Sequence, residues 1–266
     1  FMTGSGYVTA ATASEFPGLK FGVNVGVAGN AAMFSVYSSP TQLQSISIDT
    51  LLSSIPAPYI AGFFKIGLPG FIPFLEKSDV GVRFSYIPSW TFARSGAFEF
   101  YTGGVFGFGG ELRKSLFELP AGLIRIEARL AYNMNAGNIG LSYTTNVTVN
   151  ATFREKISWS GHSISLRAVG GINIPVIFSA FAGIGPEFNF GGINAQSDLT
   201  SSGTFTFAGT TFQATTGWTA TSPTAAYDPF ELRIIGGVRV FIIDIAAEYG
   251  LLSGGLSINA GASLIF

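Results

Sequence analysis

The residues in this chain best suited to chemistry are charged, and they alternate. Arg125, Glu127 and Arg129 are each separated by one apolar residue, and Glu111 and Arg113 lie about one strand length upstream. A spacing of two puts side chains on one face of a β-strand. Such a cluster is either a network of ion pairs or a constriction that selects solutes by field and width. Arg83, Arg167, Arg239 and Asp244 continue the pattern in other segments. Antiparallel pairing around a turn near residue 118 is expected to bring Glu111 close to Arg125. A turn near Phe241 is expected to make Arg239 and Asp244 neighbours. Other chemistry has little to work with. Cysteine is absent, which excludes thiol nucleophiles, disulfides and cysteine-bound zinc. His162, the sole histidine, shares the parity of the apolar face of its strand, with no carboxylate beside it in sequence. No metal, no cofactor and no enzymatic activity are expected.

The elements that must hold these charges follow from composition and period. Of 266 residues only 11% are charged, 47% are hydrophobic and 26 are Phe, whereas roughly 25% charge is usual for a soluble domain. So apolar a chain points to a membrane. A helical membrane protein would need runs of about 20 apolar residues, and the best candidate, Ala168–Pro186, carries Pro175 and Asn173 in its middle. The formal charge of −1 also argues against a nucleic-acid partner.

The dominant period is two. Val80, Val82, Phe84 and Tyr86 alternate with small or polar residues and Arg83, and Leu256, Ile258, Ala260, Ala262, Leu264 and Phe266 do the same at the end of the chain. This reading gives strands over 18–29, 57–68, 79–90, 97–113, 121–133, 161–172, 176–190, 230–240, 242–251 and 255–266, most of a length that crosses a bilayer at a tilt. The architecture expected is all-β: a single domain over 1–266 forming an antiparallel, up-and-down transmembrane β-barrel of about ten strands. A hairpin hidden in 136–160 would raise the count to twelve. Short turns are expected at one end and long loops at the other, the longest over 191–229. Residues 1–17 are expected to lie in the periplasm or the lumen, and 42–54 could hold a short helix. Fifteen charges fall on the parity opposite the apolar stripe of their own strand: Lys20, Lys65, Arg83, Glu99, Glu111, Arg113, Arg125, Glu127, Arg129, Arg167, Glu187, Arg233, Arg239, Asp244 and Glu248. A charge facing lipid at mid-depth costs roughly 2–4 kcal/mol, so these are expected to point into the lumen.

Aromatic residues gather at the strand ends, as interfacial girdles require: Tyr86, Trp90, Phe98, Phe100, Tyr132, Phe190 and Tyr249 at the long-loop end, Phe21 and Phe266 at the other. The segment Leu256-Ser-Ile-Asn-Ala-Gly-Ala-Ser-Leu-Ile-Phe266 resembles the C-terminal assembly signal of bacterial outer-membrane barrels. That resemblance implies insertion by the barrel-assembly machinery into a Gram-negative-type outer membrane. The partners it implies are the lipid bilayer and lipopolysaccharide or another outer-leaflet lipid. The leading expectation is a passive channel for small solutes, whose nine basic and six acidic lumen charges give a mild anion preference. The alternative is a closed structural or interaction barrel whose extracellular loops bind a protein partner. A third reading is a passage for apolar solutes along the smooth face of Gly103, Val105, Gly107 and Gly109.

Overall fold

The computed structural model describes residues 18–30, 57–69, 71, 74–95, 98–119, 123–146, 150–174, 177–207, 210–226 and 228–265. The expectations for 1–17, for the helix at 42–54 and for Phe266 lie outside them. Every regular element among the described residues is a strand: β1 (Leu19–Asn30), β2 (Ala57–Gly67), β3 (Ser78–Ile87), β4 (Trp90–Ser95), β5 (Phe98–Glu118), β6 (Ile124–Asn146), β7 (Asn150–Ile174), β8 (Phe178–Phe207), β9 (Thr210–Thr221), β10 (Ala225–Ala226), β11 (Phe230–Val240), β12 (Ile243–Gly250) and β13 (Gly255–Ile265).

Ten of these close a ring. Following the hydrogen bonds from β1 through β2, β3, β5, β6, β7, β8, β11, β12 and β13 returns to β1, and every pairing is antiparallel. β10 adds a two-residue eleventh strand on β8, while β4 pairs β5 and β9 pairs β8 outside the ring. Closure leaves the ring no free edge. The strands alternate as the period-two pattern demands: β12 reads exposed then buried at every step from Ile243 to Gly250. The exposed members are Val, Ile, Phe, Tyr and Leu on strand after strand, whereas the buried members are largely polar. This inverts a soluble domain and fits a wall with lipid outside and a polar lumen.

The strand ends follow expectation on one side of the ring and depart from it on the other. β1, β2, β3, β11, β12 and β13 match the expected segments to within a few residues. β5 to β8 run much further, β8 for 30 residues and β7 for 25. Most of the expected loops at 133–160 and 191–229 is therefore ladder. The hairpin at 136–160 prolongs β6 and β7 and adds no strands to the ring. These stretches lack an apolar stripe because they extend past the lipid, so the signal that marks a membrane strand stops before the strand does.

Two local features shape the wall. Between Thr102 and Val105 the β5–β6 register shifts and Gly104 takes φ of 99°, a bulge that exchanges the faces of β5 on either side. The β7–β8 ladder omits the steps Leu166–Pro186 and Arg167–Gly185. Pro186 has no N–H to donate, which accounts for the first of these.

Candidate functional site

The lumen is the first candidate. Eleven of the expected lumen charges are buried: Lys20, Lys65, Arg83, Glu111, Arg113, Glu127, Arg129, Arg167, Glu187, Asp244 and Glu248. Arg125, Arg233 and Arg239 are half-buried on the same side. Glu99 is the exception. The bulge at Gly103–Gly104 sets it opposite Ser142 on the outward face, where it accepts a hydrogen bond from Thr91 Oγ1 at 2.8 Å.

The buried charges form two networks. In the first, Arg113 bonds Asp79 through Nε at 2.8 Å and through a second guanidinium nitrogen. It lies 3.3 Å from Glu111 and 4.0 Å from Glu127, and Lys65 is ion-paired to Glu111. Arg129 is 3.5 Å from Glu127 and stacks over Phe181 at 5.7 Å. In the second, Arg167 donates to Glu187 at 3.2 Å and to Glu248 at 2.8 Å. Arg233 lies 3.0 Å from Glu187 and 3.4 Å from Glu248. Two cations and two carboxylates thus close a ring over β7, β8, β11 and β12, strands that follow one another around the wall.

Glycines let these side chains reach past their neighbours. In one row Lys65, Gly81 and Glu111 stand on adjacent strands. A Cβ on Gly81 would lie 2.9 Å from Cγ of Lys65, so the lysine stem crosses β3 only because that position has no side chain. In the next row Arg83 passes Gly109 to donate to Asn133 Oδ1 at 3.2 Å, and Ser85 leans over Gly107. The Gly-rich face of β5 is therefore covered by side chains from β3 and offers no smooth track to an apolar solute. Apolar residues are buried beside them: Val169, Phe181, Ile235 and Ala246 form one cluster, and Tyr59, Ala61, Ile87 and Val105 form another against Trp159.

The register corrects one expected pair. The β5–β6 ladder continues to Glu118, so Arg125 stands opposite Glu118 and bonds it at 2.7 Å, while Glu111 faces Ala131. β5 runs on to Glu118 and β6 begins at Ile124, further along than the alternation of the preceding strand suggested, because β5 continues beyond Arg113 with a shift between Ser115 and Phe117. Arg239 and Asp244 are ladder partners as expected, but the Arg239 guanidinium donates to the carbonyls of Phe241 and Ser263. Ser263 Oγ donates to Asp244. Asp79 and Glu231 escaped the sequence reading although they share parity with Arg83 and Arg233. Glu231 accepts from the amides of Leu252 and Ser253 at 2.9 and 3.1 Å, fixing the β12–β13 turn.

Around the outside, Tyr86, Tyr132, Phe190 and Tyr249 are exposed on the apolar face, and Phe21 is exposed toward the other end. The side chains of Trp90, Phe98, Phe100 and Phe266 lie outside the described residues. His162 sits in this girdle with Nδ1 2.7 Å from the Tyr132 hydroxyl.

The second candidate is the sheet raised above the girdle by β4 to β9. His162 and Phe190 are ladder partners, and so are Arg154 and Asp198 eight residues further out on each strand. That is roughly 26 Å along the strand at about 3.3 Å per residue. The Asp198 carboxylate receives Gln196 Nε2 at 3.1 and 2.9 Å and Thr219 Oγ1 at 2.8 Å. These hydrogen bonds, the Gln196 amide first, hold its pKa below the ordinary aspartate value. A groove of about 420 Å³ opens beside it.

No family model and no curated protein sequence matches the chain. Solved structures do resemble it. A major outer membrane protein from Thermus thermophilus aligns over 93% of this chain and 99% of its own, with 11% identity and a TM-score of 0.40. The translocator domain of the autotransporter NalP from Neisseria meningitidis aligns over 95% and 89%, with 10% identity and a TM-score of 0.36. The outer membrane protease OmpT from Escherichia coli aligns over 95% and 98%, with 8% identity and a TM-score of 0.30. The barrel assignment rests on the closed ladder and its apolar outer face.

Proposed function

We propose that this chain is a closed bacterial outer-membrane β-barrel whose working surface is the sheet it raises beyond the bilayer. One observation carries the reading. Lys20, Lys65, Arg113, Glu127, Glu187 and Glu248 are each 0% exposed although they line the lumen. A water-filled pore leaves its wall charges in water, whereas here the side chains cover one another. With Glu99 turned outward and Asp79 and Glu231 added, the expected lumen set becomes nine basic and seven acidic side chains, which narrows its excess of positive charge from three to two. The outer-membrane assignment draws support from the closed sheet, the exposed apolar band and the resemblance of the last strand to an assembly signal. A second reading, the passive channel, keeps the half-buried Glu118, Arg125, Arg233 and Arg239 as wall charges among the described residues.

The test is conductance in a planar bilayer. Refolded protein whose heat-modifiable gel migration demonstrates a folded barrel is expected to stay silent. Steady conductance, with a reversal potential in a salt gradient, would return the lumen to the role of a selective pore.

A further inference from the structure

We infer that the outward face of the raised sheet binds a saccharide, gripped through its hydroxyls in the groove between β7, β8 and β9. The inference rests on the reading of that sheet as the working surface. Thr152, Arg154, Asp198, Gly217, Trp218 and Thr219 line the groove, and its floor comes from ladder partners: Arg154 opposite Asp198, and Asp198 opposite Thr219.

The polar groups there are prepared for a ligand. Asp198 and Arg154 face each other across the ladder without forming an ion pair, because Gln196 and Thr219 take the carboxylate. A carboxylate has about four lone-pair positions, so three incoming hydrogen bonds orient Asp198 and leave acceptor capacity. Arg154 is exposed and its five donors are uncommitted among the described residues. Thr219 Oγ1, its proton given to Asp198, keeps acceptor capacity, and Thr152 adds a hydroxyl that lies 3.4 Å from that of Thr144. Gly217 supplies the space: a Cβ there would find only the Leu199 carbonyl oxygen, at 3.9 Å.

Ligand classes sort by what they present to a fixed acceptor beside a free donor. Arg154 and Lys156 flank the single carboxylate of Asp198, so a simple anion meets Asp198 beside its cations and a basic peptide meets two like charges. A polyol offers a donor and an acceptor on every hydroxyl, so adjacent hydroxyls satisfy both residues. The site also stands on the side of the sheet that looks over the membrane, some distance above the girdle. The sugar could come from a glycolipid of the same outer leaflet or from a free glycan outside the cell.

The experiment uses the full chain in nanodiscs of phosphatidylcholine, free of glycolipid. Titration calorimetry is run with three probes: the dephosphorylated oligosaccharide released from lipopolysaccharide, a neutral glucan hexamer and inorganic phosphate. Binding of the lipopolysaccharide sugar alone identifies the neighbouring leaflet as the source, and binding of the glucan identifies a free glycan. In either case Arg154→Ala and Gly217→Val are each expected to weaken binding roughly tenfold or more, the loss of one charged hydrogen bond or of the space itself. No binding by either sugar, binding that neither variant changes, or phosphate binding with the same dependence on Arg154 overturns the site. Conductance measured on the same preparation separates the two readings. A steady current defeats the closed barrel whatever the sugars do, whereas a silent barrel that binds neither sugar defeats this site alone.

Discussion

Arg167 serves two buried carboxylates at once, Glu187 and Glu248, and its removal leaves both short of a counter-charge. Losing one partner of a buried pair costs about 3–5 kcal/mol. Arg167→Ala is therefore expected to lower barrel stability by that order, read as an earlier urea midpoint for the gel shift in detergent. Arg125→Ala should cost less, on the order of 1–2 kcal/mol, because the Arg125 and Glu118 side chains, 11% and 16% exposed, keep some contact with water. Equal losses from the two variants would mean that the lumen is wetter than its burial indicates. Asp198 carries a pH dependence of known sign. Its folded pKa is depressed, so its contribution is present above the unfolded value and disappears as pH falls through the folded one. Relative to the intrinsic rate at each pH, amide exchange in β9 is expected to stay constant from neutral pH to about 5 and to quicken below about 4. A rise already at about pH 6, well above the ordinary aspartate range, would assign the ordering of β9 to something else.

Within the strands, glycine positions divide by face. Gly81 makes room for the Lys65 stem, whereas a Cβ at Gly62 would meet nothing within 4 Å. Gly81→Val should separate Lys65 from Glu111 and destabilise by on the order of 3 kcal/mol. Gly62→Ala should fall within about 0.5 kcal/mol of the parent. A comparison of their denaturant midpoints checks both, and similar values would argue against the crossing of β3 by Lys65. The sequence marks both positions only as glycine in a strand. Its alternation did locate the charged face, since Arg83, Arg129 and Arg167 all lie where parity put them. It did not locate the bulge at Gly103–Gly104, which turns Glu99 outward, because a slip in register leaves composition unchanged.

For the whole molecule, the raised sheet and the ring should be separable. The membrane section draws its stability from the closed ladder and the lumen networks, neither of which uses the sheet beyond the girdle. Replacing 140–156 by a two-residue turn, together with 196–221 by a short Gly-Ser linker, is expected to leave a barrel that still inserts and still shifts on heating. Loss of the heat shift would show that the raised sheet holds the wall together. The sequence by itself determined that the chain is a membrane-facing β-barrel of about ten strands with charges inside. Lipid exposure imposes a strict period of two on every crossing strand, and that period survives in one dimension. Only the tertiary structure decided how deeply the lumen charges are buried, which charges pair, and that the apparent loops are ladder. Those outcomes depend on register between distant strands and on side chains reaching over glycines to the next strand but one. Such distances have no counterpart along the chain.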